Sequence, residues 1–204
     1  MNMNKLFQKL GKLKSLFVNS QELDAEESHL QYPSPKIKQS IISNLRNEFK
    51  YKVFIETGTY LGDMVEAQKL HFDHVYSIEL GEALYTEARK RFSTDKNVNI
   101  ILGDSGKVLR DLMPTIKQPA IFWLDGHYSE GVTAKGEKEC PIYEELDSIF
   151  AAERYKHVLL IDDARLFVGK NDYPTISELE THINLYRGGS KIFIKNDIIH
   201  VLVV

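Results

Sequence analysis

The sequence has little cysteine, no long apolar run and no strong excess of either charge. Its single cysteine, Cys140, excludes an internal disulfide framework and a cysteine-rich zinc module. No stretch approaches the roughly 20 consecutive apolar residues of a membrane-spanning helix. The 26 Lys and Arg residues against 29 Asp and Glu residues argue against a broad nucleic-acid-binding surface. These absences favour a cytoplasmic globular protein and leave its chemistry open.

The first 50 residues differ in pattern from the rest of the chain. Residues 1–17 contain lysines but no acid, and their apolar positions recur at helical spacing, which predicts a basic amphipathic helix. Those apolar positions are Leu6, Leu10, Leu13 and Phe17. Three interpretations stay open: a helix docked on the body or on a second copy in a homo-oligomer, a frayed tail, or a membrane-surface anchor. The segment lacks the apolar run and cleavage site of a secretory signal. Pro33-Ser34-Pro35 predicts a turn before a helix over Lys36–Phe49, so residues 1–50 are expected to form an N-terminal helical extension.

A regular alternation of strand-like and helix-like segments begins at Tyr51. The apolar runs of strand length are Val53–Ile55, Val75–Ile78, Val98–Leu102, Ala120–Leu124 and Val158–Ile161. The helix-compatible stretches are Asp63–Leu70, Glu82–Phe92, Gly106–Leu112, Ile142–Ala152 and Thr175–Tyr186. This alternation implies right-handed crossovers and a parallel sheet covered on both faces.

The end of the chain carries a hairpin signal. Lys191–Lys195 and Ile198–Val204 flank Asn196-Asp197, which predicts a closing antiparallel pair at the sheet edge. The expected fold of residues 51–204 is therefore an α/β three-layer sandwich, with a Rossmann-like, mostly parallel seven-stranded sheet and a C-terminal antiparallel hairpin.

Each of the predicted parallel strands is followed by a carboxylate. The acids are Glu56, Glu79, Asp104, Asp125 and the pair Asp162-Asp163. Ligands of open α/β sheets bind outside the carboxyl ends of the strands. Helix N-termini also attract acids, so capping would explain one or two of them. Acids after every strand indicate a binding site.

The turn after the first strand, E-T-G-T-Y-L-G, contains Gly58 and Gly62. It differs from the dinucleotide fingerprint because Tyr60 stands where the middle glycine would be. The turn would let a ligand approach the backbone, and the alternative is a tight strand-to-helix turn. Glu79 would accept hydrogen bonds from both hydroxyls of a ribose. Asp104 would bind an adenine amino group or cap the next helix.

These residues together resemble motifs of class I S-adenosylmethionine-dependent methyltransferases. The E-x-G-x-Y-x-G form is similar to the metal-dependent O-methyltransferases of the catechol and caffeoyl-CoA type, and the macrolide-sugar O-methyltransferases share the same plan. The resemblance covers residues 51–204. It implies a site for S-adenosyl-L-methionine formed by Glu56, Gly58, Thr59, Tyr60, Gly62, Glu79, Asp104, Ser105 and Asp125.

The resemblance also implies a divalent cation such as Mg²⁺, held by Asp125, Asp162 and Asp163. Mg²⁺ prefers oxygen ligands, and three neighbouring carboxylates repel one another without a cation. The alternative is that Asp163 caps a helix while Asp125 faces solvent. Arg165 would either neutralise these acids or bind an anionic group of the substrate.

A metal-bound hydroxyl would be acidified and oriented for methyl transfer. His127, close after Asp125, is the candidate general base because its ordinary pKa lies near neutrality, with a structural role as the alternative. Catechol-type enzymes have a lysine where this chain has Tyr128, and a serine where it has Met64. The loop over residues 129–141 is an acceptor-binding lid or simply a mobile loop.

The sequence thus predicts an S-adenosylmethionine-dependent O-methyltransferase, divalent-metal-assisted, that acts on a hydroxyl of a small molecule or sugar. One alternative is an NAD-dependent oxidoreductase on a Rossmann domain, against which stand the missing middle glycine and the closing hairpin. The other is a catalytically inactive cofactor-binding module.

Overall fold

The computed structural model describes residues 32–126, 140–152 and 155–203, and these contain a seven-stranded sheet. The strands are β1 (Val53–Thr57), β2 (His74–Glu79), β3 (Val98–Leu102), β4 (Ala120–Leu124), β5 (Val158–Ile161), β6 (Lys191–Lys195) and β7 (Ile198–Leu202). Their order is β3-β2-β1-β4-β5-β7-β6. The first five strands pair in parallel, and β7 pairs antiparallel with β5 and β6. The predicted Rossmann-like sheet with a closing hairpin is confirmed.

The helices cover both faces of this sheet. They are α1 (Pro35–Phe49), α2 (Asp63–Gln68), α3 (Glu82–Arg91), α4 (Ser105–Leu112), α5 (Ile142–Ala151) and α6 (Ile176–Tyr186). Short 3₁₀ turns occupy Met113–Thr115 and Ala164–Leu166. Within the described ranges, no helix is both long enough and apolar enough to cross a bilayer.

Side chains along the strands alternate between two apolar layers, as the pleat of a strand requires. On one face, Phe54, Ile121 and Leu160 pack with Ile42 and Leu45 of α1. The neighbouring positions of the same strands face the opposite layer, which α4, α5 and α6 cover. The α1 helix is therefore part of one sheet-covering layer. The predicted helix over residues 1–17 lies outside the described residues, and the domain boundary at residue 50 stays a prediction.

His157, directly before β5, is a buried histidine that is uncharged near neutral pH in the folded protein. Its Nδ1 accepts a hydrogen bond from the Ala120 backbone N–H at 3.1 Å. Burial lowers the pKa of His157 from 6.5 to about 4, and the charge of Arg187 acts in the same direction. Between these two pKa values the unfolded chain binds a proton that the folded chain does not. The stability from this residue is therefore complete above the unfolded pKa and is lost as the pH falls toward the folded one.

As the pH falls from about 7.5 to about 5, we expect the protonation equilibrium of His157 to lower the free energy of unfolding by about 2 kcal/mol. His157→Gln keeps an acceptor for Ala120 but does not titrate, so its loss over this range should be smaller by that amount. Urea unfolding at both pH values measures the difference. His71→Gln, at an exposed histidine, is the matched control and should behave as the wild type. Equal losses in His157→Gln and wild type would contradict the prediction.

Candidate functional site

The acidic residues of β1 and β2 share one face of the sheet. Phe54 and Val75 lie in the layer that α1 covers, so strand alternation places Glu56, Ser77 and Glu79 on that same face. Ser77 Oγ donates a hydrogen bond of 2.6 Å to Glu56 Oε2. Both glutamates are buried. The carboxyl ends of these central strands thus hold two carboxyl groups next to each other.

The buried position of Glu56 changes its protonation. Burial, together with the charges of Asp125 and Glu79, raises the pKa of Glu56 from 4.5 to about 8, although the hydrogen bond from Ser77 acts in the opposite direction. Glu56 is therefore mostly protonated near neutral pH. A positively charged ligand group placed beside it would favour the ionised form.

The turn after β1 brings its backbone against the end of β4. Gly58 has φ 82°, and a Cβ atom there would lie 2.3 Å from the backbone oxygen of Asp125. Gly62, at the other end of the turn, has φ 80°. Thr59 Oγ1 lies 2.6 Å from Ser77 Oγ, which links the turn to β2. Glycine is required at position 58 both for its conformation and for the close backbone approach.

Glu79 is held by backbone amides on both sides. Its Oε2 accepts from the Tyr60 N–H and its Oε1 accepts from the Gly81 N–H, each at 2.8 Å. Each carboxylate oxygen has a second lone-pair site. The fixed carboxylate can therefore still accept from two adjacent hydroxyls, as a ribose diol would present them.

Large apolar side chains near these strand ends are exposed. They are Tyr60, Leu61, Leu80 and Leu102. They follow β1 and β2 or end β3, so they flank the position of Glu79. Exposed apolar surface beside a buried polar group is typical of a ligand-binding groove.

Asp104 and Ser105 lie at the start of α4. Asp104 Oδ1 accepts from the Lys107 backbone N–H at 3.2 Å, so Asp104 caps the helix. Ser105 is buried in the first turn. Capping, one of the two roles expected for Asp104, is present, and its contact with adenine stays a prediction.

Asp125 and Asp162 follow neighbouring strands. The Asp125 N–H donates to the Thr57 backbone oxygen at 3.2 Å, and the Asp162 N–H donates to that of Leu124 at 3.1 Å. Asp125 is half-buried and Asp162 is buried. These two carboxylates are thus on adjacent strand ends, next to the Gly58 turn.

Basic side chains bind two of the three expected metal ligands. Lys38 of α1 forms an ion pair with Asp162. Arg165 donates to Asp163 Oδ1 at 2.6 Å and also pairs with Asp197, so Arg165 neutralises acids as one interpretation anticipated. Among the residues that the structure describes, no group of three or more His, Cys, Asp or Glu side chains is arranged to hold a metal ion. In this arrangement the three aspartates do not fit the implied cation site.

Lys38 is the site residue that the sequence analysis missed. Burial lowers its pKa, but the charges of Asp162, Asp125 and Asp163 outweigh burial and raise it above the ordinary value. The signal in the sequence was the position of Lys38, which precedes Ile42 by four residues and so lies on the apolar face of the helix. His127, Tyr128 and the loop up to residue 139 lie outside the described residues, so the general base stays a prediction.

No protein-family model and no curated protein sequence matches this chain. Its fold is similar to that of several solved O-methyltransferases. A protein from Staphylococcus aureus, assigned as a caffeoyl-CoA O-methyltransferase, shares 12% identity over 99% of each chain with a TM-score of 0.60. TomG of Streptomyces achromogenes, an O-methyltransferase of tomaymycin synthesis solved with S-adenosylmethionine, shares 15% identity over 89% of this chain and 85% of its own, with a TM-score of 0.60.

An O-methyltransferase from Bacillus cereus, solved with S-adenosylhomocysteine, shares 12% identity over 92% of this chain and 90% of its own, with a TM-score of 0.58. At such identities the similarity establishes the fold and leaves the chemistry to the residues of the site. The chain has the fold of the class I S-adenosylmethionine-dependent O-methyltransferases.

Proposed function

We propose that this chain is an enzyme that transfers the methyl group of S-adenosylmethionine to a hydroxyl oxygen of a small molecule, with a sugar as the candidate acceptor class. The observation that supports this most is the Glu79 carboxylate, fixed by two backbone amides beside the glycine turn. This arrangement stands at the carboxyl ends of the central strands, near the switch point between β1 and β4 where open sheets bind ligands.

Different residues of the site would contact different parts of the cofactor. Glu79 would hold the ribose hydroxyls, and the Gly58 turn, packed against the Asp125 backbone, would present its own backbone beside the ligand. The pKa of Glu56 is about 8, so a positive charge bound beside Glu56 would lower this pKa and favour the ionised carboxylate. S-adenosylmethionine supplies an electrophilic methyl group when it is bound. Transfer to a hydroxyl releases a proton, and His127 is the candidate general base that would accept it.

The proposed mechanism has no step through a divalent cation. The resemblance implies one, but Lys38 already pairs with Asp162 and Arg165 with Asp163. The positive charge near these aspartates therefore comes from side chains. The acceptor would bind close to Asp125, at the end of the strand beside β1.

Calorimetric titration of the full chain with S-adenosylmethionine, S-adenosylhomocysteine and NAD tests the cofactor. We expect the first two to bind and NAD not to bind. Glu79 would suit the ribose of NAD as well, so this comparison separates methyl transfer from the oxidoreductase alternative. Binding of NAD without S-adenosylmethionine would refute the proposal.

Transfer of a radioactive methyl group to a panel of sugars and phenols then tests the enzyme itself. Methylated product with any hydroxyl acceptor supports the proposed reaction, and its position identifies the acceptor class. Tight cofactor binding without transfer to any member of a broad panel would favour the inactive binding module instead. Glu87→Gln, at an exposed acid on α3, is a control variant that should bind and transfer as the wild type does.

A further inference from the structure

We propose that Lys38 supplies the positive charge of the acceptor site in place of a divalent cation. The inference rests on the proposed function for the identity of that site. It concerns one cluster, formed by Lys38 of α1 with the aspartates that follow β4 and β5. In this cluster Lys38 pairs with Asp162, and its remaining donors would contact the acceptor.

The ammonium of Lys38 lies in a partly enclosed position on the sheet. Its side chain is 22% exposed and that of its partner Asp162 is 2% exposed. The ring centroid of Trp123, which is buried on β4, lies 5.9 Å from Lys38 Nζ. A buried carboxylate needs a partner of opposite charge, and the Lys38 ammonium is that partner for Asp162.

Both oxygens of Asp162 receive N–H donors. Oδ2 accepts from Lys38, and Oδ1 accepts from the Asp163 backbone N–H at 2.9 Å. A metal ion would have to displace the ammonium from Oδ2, because two positive charges at one carboxylate oxygen repel each other. Mg²⁺ also requires near-octahedral oxygen coordination. The donors present at Asp162 suit an ammonium.

Asp163, the next aspartate after β5, is also paired with a basic side chain. Asp163 has φ 56° and turns its carboxylate to Arg165, which Asp197 also holds. The Arg165 backbone N–H donates to Asp197 Oδ1 at 2.8 Å, which fixes this arginine from both ends. Removing Lys38 would therefore expose Asp162 beside Asp125 while Asp163 stays paired.

Two of the three ammonium donors of Lys38 are not needed by Asp162. They would be available to an acceptor oxygen, so Lys38 would orient the acceptor through hydrogen bonds. Methyl transfer should then proceed without added metal and in the presence of a chelator.

Binding of Mn²⁺ to the full chain, followed by electron paramagnetic resonance, tests this inference without measuring turnover. We expect no Mn²⁺ binding by the wild type, with or without S-adenosylhomocysteine. Lys38→Met should bind Mn²⁺ at least about tenfold more tightly than the wild type, because it uncovers the Asp162 carboxylate and keeps an unbranched side chain only one heavy atom shorter. Lys38→Arg should resemble the wild type. Lys52→Met is the matched control, since Lys52 pairs with Asp73 at an exposed position.

Two results would overturn the inference: Mn²⁺ binding by the wild type as tight as by Lys38→Met, or no binding by a folded Lys38→Met. The double variant Lys38→Met with Asp162→Asn should lose the gained affinity. If Lys38→Met fails to fold, Mn²⁺ binding by the wild type or by Lys38→Arg still refutes the inference, and its absence from both supports it. Calorimetry with S-adenosylmethionine on the same samples tests the proposed function separately, because cofactor binding does not require Lys38.

Discussion

Gly58→Ala is expected to destabilise the fold and to abolish binding of S-adenosylmethionine. The alanine would have to adopt φ 82°, and its Cβ would lie 2.3 Å from the Asp125 backbone oxygen and 3.0 Å from the Asp125 carbonyl carbon. Both atoms are backbone, so no side-chain rotation relieves the clash. The ends of β1 and β4 would have to separate. We expect the unfolding free energy to fall by about 3 kcal/mol from the strained conformation and the clash together.

Urea unfolding and calorimetry with S-adenosylmethionine measure the two effects of Gly58→Ala. Gly169→Ala is the matched control, because Gly169 has φ 77° but its added Cβ would meet only the Thr175 methyl carbon, at 3.1 Å. The control should lose about 1 kcal/mol, the cost of a positive φ alone, and should keep its cofactor affinity. An unfolding free energy for Gly58→Ala equal to that of the control would show that the close approach to Asp125 does not exist.

The strand framework was readable from the sequence because burial on both faces leaves a continuous apolar run. For β3, β4 and β5 the predicted runs have the same bounds as the observed strands. The predicted first strand ended too early, at Ile55, because Glu56 and Thr57 are polar. Both residues still pair in the sheet, with Ser77 and Ile78. The apolar pattern thus underestimates a strand where buried polar residues prepare a binding site.

The hairpin was readable for a different reason. Asn196 and Asp197 have φ 52° and 54°, the left-handed values that a two-residue type I′ turn requires and that these residue types tolerate. The local chemistry of two residues therefore determines the turn. Such a signal needs no knowledge of the rest of the chain.

Of the two basic side chains that pair with the predicted metal ligands, only one could be inferred from the sequence. Arg165 stands two residues after Asp163, and the sequence analysis anticipated its neutralising role. Lys38 is 124 residues from Asp162 in the chain, and their contact depends on how α1 docks on the sheet. Helical periodicity indicates which face of α1 is buried but not which strand end it meets. For this reason a cation site was predicted at Asp162 and Asp163, where the structure has ion pairs with Lys38 and Arg165.

Glu79→Gln is expected to lower the affinity for S-adenosylmethionine by about a hundredfold. Glutamine keeps the shape, but its NH₂ group would face the N–H of Tyr60 or of Gly81, and neither of these donors can be satisfied by another donor. One ribose hydroxyl would lose its acceptor as well. Calorimetry measures the change, and Glu87→Gln on the exposed side of α3 should keep wild-type affinity.

Adenosine distinguishes a ribose contact from a general collapse of the site, because it carries the ribose but no methionine part. If Glu79 binds the ribose diol, Glu79→Gln should lower the affinity for adenosine by the same factor as the affinity for S-adenosylmethionine. The wild type should in turn bind 2′-deoxyadenosine more weakly than adenosine, whereas Glu79→Gln should discriminate less between them. If Glu79→Gln lowers the affinity for S-adenosylmethionine but not for adenosine, Glu79 would instead contact the methionine part of the cofactor. The switch in sugar preference therefore assigns the carboxylate to its ligand group independently of turnover.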